Sequence, residues 1–192
     1  MRIITGSAKG RTLKAPPGLG TRPILDAQKQ KLFDVLGARA ASETGVYDVF
    51  AGSGGLGLEA LSRGAARATF VERGRAALAC LRDNIARCGF ADAASVVPAD
   101  AFRLDYGRLS HDADLVFFDP PFPLFEEAPD HLAGLLAAVV GTPRVPPGAT
   151  VVWRMPEEAA ATAVPRGLTE IDRREAGRSV ILLYEKGPPD GD

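Results

Sequence analysis

The segment Asp48-Val49-Phe50-Ala51-Gly52-Ser53-Gly54-Gly55-Leu56-Gly57 leaves an apolar run of strand length, passes through four glycines and enters a run with helical spacing. Glycines at Gly52 and Gly54 let a backbone turn tightly and approach a ligand that side chains would hold off. The order Gly52-x-Gly54-x-x-Gly57 satisfies the dinucleotide fingerprint of a strand–turn–helix unit. Glu72 closes the next predicted strand, ~20 residues on, where an acid meets ribose hydroxyls. The loop by itself fits a nicotinamide dinucleotide and S-adenosylmethionine equally, because both carry an adenosine.

Working outward from the loop, strand and helix patterns alternate. Residues 46–50 read as a buried strand and 55–63 as a helix, followed by a strand at 67–72 and a helix at 75–87. Strands at 94–98 and 114–118 come next, then a helix over 125–140 with Leu132, Leu135, Leu136 and Val139 on one face. A strand at 149–154 precedes two β-rich runs, 168–173 and 179–186, close enough to pair as a hairpin. Alternation of this kind predicts an α/β fold with a mostly parallel sheet covered on both sides.

The most specific chemistry lies at Leu115-Val116-Phe117-Phe118-Asp119-Pro120-Pro121-Phe122. Proline has no N–H and a fixed φ, so the tandem pair stops the sheet ladder and stiffens the chain. Asp119, the Pro120 carbonyl and the Phe122 ring then stand at a strand's carboxyl end, where ligands bind in open α/β sheets. Two acceptors and a flat ring suit the exocyclic amine of a nucleobase, and Pro121 completes the rigid turn. A dehydrogenase has no use for this element. Asp48 inside the strand suits the ammonium group of a methionine moiety, and Asp100 in Ala99-Asp100-Ala101-Phe102 suits an adenine amine. The methyl donor is therefore preferred over the dinucleotide.

With 192 residues, 46% of them hydrophobic, the chain can bury one full core. No apolar run approaches the ~18 residues that span a bilayer, and Met1-Arg2-Ile3-Ile4-Thr5-Gly6 has no signal-peptide core, so a cytoplasmic location is expected. No metal site is evident. Cys80 and Cys88 read as ordinary helix residues, His111 and His131 as surface residues. The net charge of −1 conceals an asymmetry: residues 1–40 sum to +6 and the remainder to −7. Such a basic arm suits a polyanion, with Lys9, Arg11 and Arg22 as phosphate contacts. Within it, 2–4 and 11–14 read as short strands and 26–36 as a helix burying Leu32, Phe33 and Leu36. The expected organisation is a basic arm at 1–44, a catalytic domain at 45–186 and a disordered tail at 187–192.

Taken in order, these motifs closely resemble the RsmD family of bacterial small-subunit (16S) ribosomal RNA guanine-N2 methyltransferases. The matching residues are Lys9-Gly10-Arg11-Thr12-Leu13, Arg22-Pro23 with Asp26 and Leu32-Phe33, Asp48 to Gly54 with Leu56-Gly57-Leu58-Glu59-Ala60, Val71-Glu72, Asn84, Asp100-Ala101 and Phe118 to Phe122. Where the family usually reads Arg-Pro-Thr and Asp-Arg-Val-Arg-Glu, this chain has Arg22-Pro23-Ile24 and Asp26-Ala27-Gln28-Lys29-Gln30; Gly74 replaces a second acid.

The resemblance implies a Rossmann-like class I S-adenosylmethionine-dependent methyltransferase, with a seven-stranded, mostly parallel sheet ending in an antiparallel hairpin. It implies catalysis by Asp119, Pro120, Pro121 and Phe122, and a cofactor held by Asp48, Phe50, Ala51, Gly52, Ser53, Gly54, Glu72, Arg73, Asp100, Ala101 and Asp119. The expected partner is small-subunit rRNA or the assembling 30S subunit, met by a monomer without metal. The competing readings are an adenine-N6 DNA or RNA methyltransferase and a non-catalytic RNA-binding assembly factor.

Overall fold

The computed structural model describes residues 1–16, 26–40, 44–159 and 165–188. Seven strands form one sheet in the order β3-β2-β1-β4-β5-β7-β6. They are β1 (Gly45–Val49), β2 (Arg67–Glu72), β3 (Ala94–Pro98), β4 (Leu115–Phe118), β5 (Thr150–Pro156), β6 (Leu168–Glu175) and β7 (Ser179–Lys186). β1, β2, β3, β4 and β5 pair in parallel, while β7 runs antiparallel to both β5 and β6. The expected parallel sheet with its terminal hairpin is thus present, and its order reverses between β1 and β4.

Strand periodicity builds two cores from this one sheet. Successive side chains point to opposite faces, so Val46, Phe70, Leu115, Phe117 and Val152 go one way. They meet α1 (Asp26–Leu36), α2 (Gly57–Arg63) and α3 (Arg75–Cys88) through Leu32, Phe33, Leu36, Leu58, Leu61, Leu81 and Ile85. Tyr47, Val49, Val116, Phe118, Val151 and Trp153 go the other way, onto Leu132, Leu135, Leu136 and Val139. Every residue of β1 and β4 is buried, which explains why both read as continuous apolar runs rather than alternating ones.

Three local expectations change. Residues 125–140 do not form one helix: α4 (Leu124–Glu127) stops and α5 (Pro129–Gly141) begins at a proline, with Ala128 between them at φ −152°. The Pro129 ring bars a helix from running through it and supplies no N–H, so it opens a new helix. The arm's two short strands reduce to one antiparallel bridge, Arg2 to Thr12, with Ile3 N–H donating to the Arg11 carbonyl at 2.9 Å. His111 is not a surface residue but is buried, its Nε2 2.9 Å from Thr69 Oγ1. His131 is exposed. Arg22 and residues 189–192 of the tail lie outside the described residues.

The arm joins the main core rather than forming its own. Ile3, Ala8, Leu13, Leu32, Phe33 and Leu36 all belong to the first apolar cluster. Glu59 on α2, fully buried, gathers the arm electrostatically: it accepts from Ile4 N–H at 2.8 Å and Thr5 N–H at 3.0 Å. It also pairs with Lys29 at 3.0 Å and with Arg63 at 2.9 Å. Among the described residues no helix is long and apolar enough to cross a membrane.

Candidate functional site

The carboxyl ends of the parallel strands bring together Asp48, Glu72, Asp100 and Asp119, as the sequence leads one to expect. The glycine loop is held by carboxylates from both sides. Asp48 Oδ2 accepts from Gly57 N–H at 2.9 Å, tying β1 to the start of α2. Glu72 Oε2 accepts from Gly52 N–H at 2.8 Å, while Oε1 takes Arg73 N–H at 2.8 Å and Gly74 N–H at 2.6 Å. Asn84, fully buried on α3, donates to the Ser53 and Lys14 carbonyls and so stitches loop to arm.

The glycines divide by role. A Cβ on Gly57 would lie 2.4 Å from the Phe70 ring and 3.0 Å from Asp48 Oδ2, so this glycine permits α2 to press against β2. Gly52 has φ +56° and would meet nothing within 4 Å, so its backbone borders open space into which a ligand can fit. Phe50, beside it, is the one non-glycine residue with positive φ among those described, at +67°. Its ring stands edge-on to Phe118 at 5.6 Å and to Phe102 at 6.0 Å. Ala51 and Ser53 are buried in the loop, and Ala101 is buried behind Asp100.

Electrostatics at this end are dominated by negative charge. Burial, followed by the neighbouring Asp119 and Glu72 carboxylates, pushes Asp48 up to about 8, against the Gly57 N–H bond that favours its charged form. The shift favours the protonated form of Asp48 until a cation arrives. Asp100 is engaged twice, by Phe102 N–H at 3.1 Å and by the exposed Arg73 guanidinium at 3.0 Å.

Asp119 is not a free acceptor. Arg154, on β5, grips it with a two-pronged fork, Nε to Oδ1 at 2.8 Å and Nη2 to Oδ2 at 3.0 Å. Burial raises the Asp119 pKa and Arg154 opposes that rise. The same guanidinium lies 5.3 Å from the Phe122 ring centroid, covering one face of a half-buried ring. The Pro120 carbonyl has no hydrogen-bond partner among the described residues, whereas the Pro121 carbonyl accepts from Leu124 N–H at 3.0 Å. Sequence reasoning passed over Arg154. A lone cation inside the apolar run Thr150-Val151-Val152-Trp153-Arg154-Met155 was the available signal.

The arm's cations are mostly consumed by the fold. Arg2 pairs with Asp26, Lys14 with Asp83, Lys29 with Glu59 and Arg39 with Glu185. Lys9, Arg11 and Lys31 are exposed and have no carboxylate partner among the described residues. No cluster of three His, Cys, Asp or Glu side chains suited to a metal occurs among those residues.

The family described as Conserved hypothetical protein 95 matches residues 1–185. The chain belongs to this family, the RsmD-type rRNA methyltransferases. The Ribosomal RNA small subunit methyltransferase D of Escherichia coli K12 is 42% identical over 122 residues, a stretch covering 64% of this chain and 60% of that protein. The Haemophilus influenzae protein of the same name is 36% identical over 124 residues, covering 64% of each. Among solved structures, yhhF from Escherichia coli superimposes with a TM-score of 0.81 at 31% identity, covering 98% of both chains. The Rossmann-like methyltransferase architecture expected of the RsmD family is therefore present in this member.

Proposed function

We propose that this RsmD-family protein methylates the exocyclic N2 of a guanine in small-subunit (16S) rRNA, using S-adenosylmethionine, as a cytoplasmic monomer. One observation carries the reading: Asp119-Pro120-Pro121-Phe122 stands at the end of β4, directly beside the glycine loop on β1. Membership of the family supports ribosomal RNA as the substrate class, and guanine is proposed from the resemblance of the ordered motifs.

The residues present fit the methyl donor. The open space beside Gly52 admits its backbone-hugging portion. Glu72 keeps one lone pair, on Oε2, for a ribose hydroxyl, and Asp100 keeps one on each oxygen for an adenine amine. Phe50, Ala51, Ser53, Gly54, Arg73 and Ala101 line the same cradle. Asp48, buried and reluctant to ionise alone, gives up its proton when a cationic ammonium or sulfonium is close by.

When bound, S-adenosylmethionine supplies an electrophilic methyl carbon on a sulfonium. The protein's part is to present an amine to it. An amine conjugated with a base ring is a poor nucleophile, and Asp119 and the Pro120 carbonyl accept its two hydrogens so that its lone pair turns out of the ring plane. The nitrogen pair forms the new N–C bond, the S–C pair stays on sulfur, and the surplus proton passes to water. Holding the partners in line is worth up to ~7–11 kcal/mol of the barrier.

Stacking of the base on Phe122 is worth ~1–3 kcal/mol and offsets the few kcal/mol needed to unstack the nucleotide. Pro121 keeps the acceptors rigid. Lys9 and Arg11, two of the arm's exposed cations, meet phosphates.

The test is methyl transfer from labelled S-adenosylmethionine to 16S rRNA and to 30S particles, followed by nuclease digestion and mass spectrometry of the nucleosides. N2-methylguanosine lost in Asp119→Asn, with donor affinity kept, is the expected result. N6-methyladenosine would replace the guanine reading, and no methyl group on any RNA would leave a binding protein.

A further inference from the structure

β4 and β5 are paired so that Phe118 lies opposite Trp153, which sets the next residues, Asp119 and Arg154, side by side at the carboxyl edge. Their fork is well made, with bonds of 2.8 and 3.0 Å and side chains only 13% and 19% exposed. The pair is placed where both halves of the base site meet. One side of the guanidinium holds the carboxylate, and its central carbon lies over the Phe122 ring, 5.3 Å from the centroid. We propose that Arg154 is the positioning residue of the acceptor-base site, holding Asp119 as an ionised, oriented acceptor and Phe122 as a stacking platform.

The physical argument starts from what Asp119 would be without its partner. Burial raises its pKa, Asp48 on β1 is an acid close enough to feel its charge, and Arg154 on β5 is the group that opposes the rise. A buried carboxylate beside an acid takes up a proton. A protonated Asp119 would present an O–H where an acceptor is needed, and a base amine has no use for a second donor. Arg154, the cation that grips it, opposes that.

Lone-pair counting gives the orientation. An ionised carboxylate has about four acceptor sites, two on each oxygen. The fork uses one on each oxygen and thereby fixes the carboxylate plane. The remaining pair on each oxygen is left for a base amine. Arg154 lies 5.3 Å from the Phe122 ring centroid and Phe125 stands edge-on to the same ring at 6.3 Å, so ring and acceptor are indexed to one another through the Arg154 side chain. A lysine could neutralise Asp119 but could not fork it.

The inference rests on the methyl-transfer reading for its consequence but not for its test. Asp119 would be followed directly, by carbon NMR of protein labelled at the aspartate carboxyls, with Asp119→Asn assigning the signal. In Arg154→Met the Asp119 carboxyl is expected to titrate at least about one pH unit above wild type, as a lost ion pair requires. Single-turnover methylation of 16S rRNA at pH 7 should fall on the order of 100-fold, the scale of losing one preorganised electrostatic group. The acid limb of its pH profile should move up with the carboxyl, while affinity for S-adenosylmethionine stays within about twofold.

Arg154→Lys should restore the wild-type pH profile but not the wild-type rate. If Arg154→Met does not fold, that lysine variant decides alone. A rate loss with an unmoved acid limb supports the fork, and a wild-type rate overturns it. An unshifted Asp119 titration, or a methionine variant as fast as wild type, also overturns the proposal and makes Arg154 a plug. A wild-type protein inactive on all RNA overturns the methyl-transfer reading instead, with the titration still readable.

Discussion

Lys29 on α1 and Glu59 on α2 form an ion pair at 3.0 Å in which neither side chain has any exposure to solvent. Lys29 also donates to the Arg2 carbonyl at 2.6 Å, so the pair bolts three segments together. Removing one member of a buried pair leaves the other uncompensated, which costs about 3–5 kcal/mol. Lys29→Met should lower the unfolding free energy measured in urea by that amount. The loss on adding Glu59→Gln to it should be smaller than the sum of the two singles, because the partners act as one unit.

Asp48 makes ligand-free stability depend on pH in an unusual direction. Its folded pKa of about 8 lies above the ordinary value of 3.8, so its contribution is complete below that ordinary value. It is then lost as pH rises through the window up to about 8, because only the unfolded chain gives up the proton there. Asp48→Asn should therefore gain on wild type as pH rises from 4 to 8, in chemical denaturation at each pH, while binding S-adenosylmethionine more weakly. Donor affinity in wild type should rise over the upper part of the same window. Calorimetry in buffers of different ionisation enthalpy should register a released proton.

His111 acts in the opposite sense. Burial first of all, then Arg67 and Arg144, lowers its pKa, against the pull of Asp112. A base depressed in the fold adds stability above its ordinary pKa of 6.5, and that stability drains as pH falls through the folded value. Wild type should start to lose stability below about pH 6.5, and His111→Gln should not show that early loss.

The loop glycines should separate packing from ligand access. Gly57→Ala drives a methyl into Phe70 at 2.4 Å and should cost ~1–3 kcal/mol of stability by overpacking. Gly52→Ala meets no atom and bears only the strain of φ +56°, ~1–2 kcal/mol. Its methyl nonetheless enters the open space beside the loop, so donor affinity should fall further than stability does. Thermal melts and binding titrations on both variants check this.

If the arm's exposed cations contact phosphates, salt will report it. Lys9→Ala and Arg11→Ala should each reduce the slope of log affinity against log salt by roughly 1. Lys14→Ala, whose cation is already held by Asp83 at 2.7 Å, should change that slope little.

Local pattern and spacing carried most of the architecture. The apolar runs of β1 and β4, the glycine turn, the stripe on α5 and the Asp119-Pro120-Pro121-Phe122 element all act within a few residues of chain. Such preferences are therefore written in the order of residues, and they placed four carboxylates at the correct edge of the sheet. Partner choice is another matter. Whether Lys29 faces RNA or a buried glutamate, whether His111 is outside or inside, and what Asp119 holds are set by residues 30, 42 and 35 positions away.

Sequence alone thus determined which strands and turns form and which chemical groups stand at the sheet's carboxyl edge, because periodicity and backbone stereochemistry are local. Only the folded chain decided how those charges are spent, because burial and proximity across the sheet set both the cost of each charge and the neighbour that relieves it. Arg154 beside Asp119 is the plainest instance: both residues are visible in the chain, and nothing short of parallel β4–β5 pairing makes them partners.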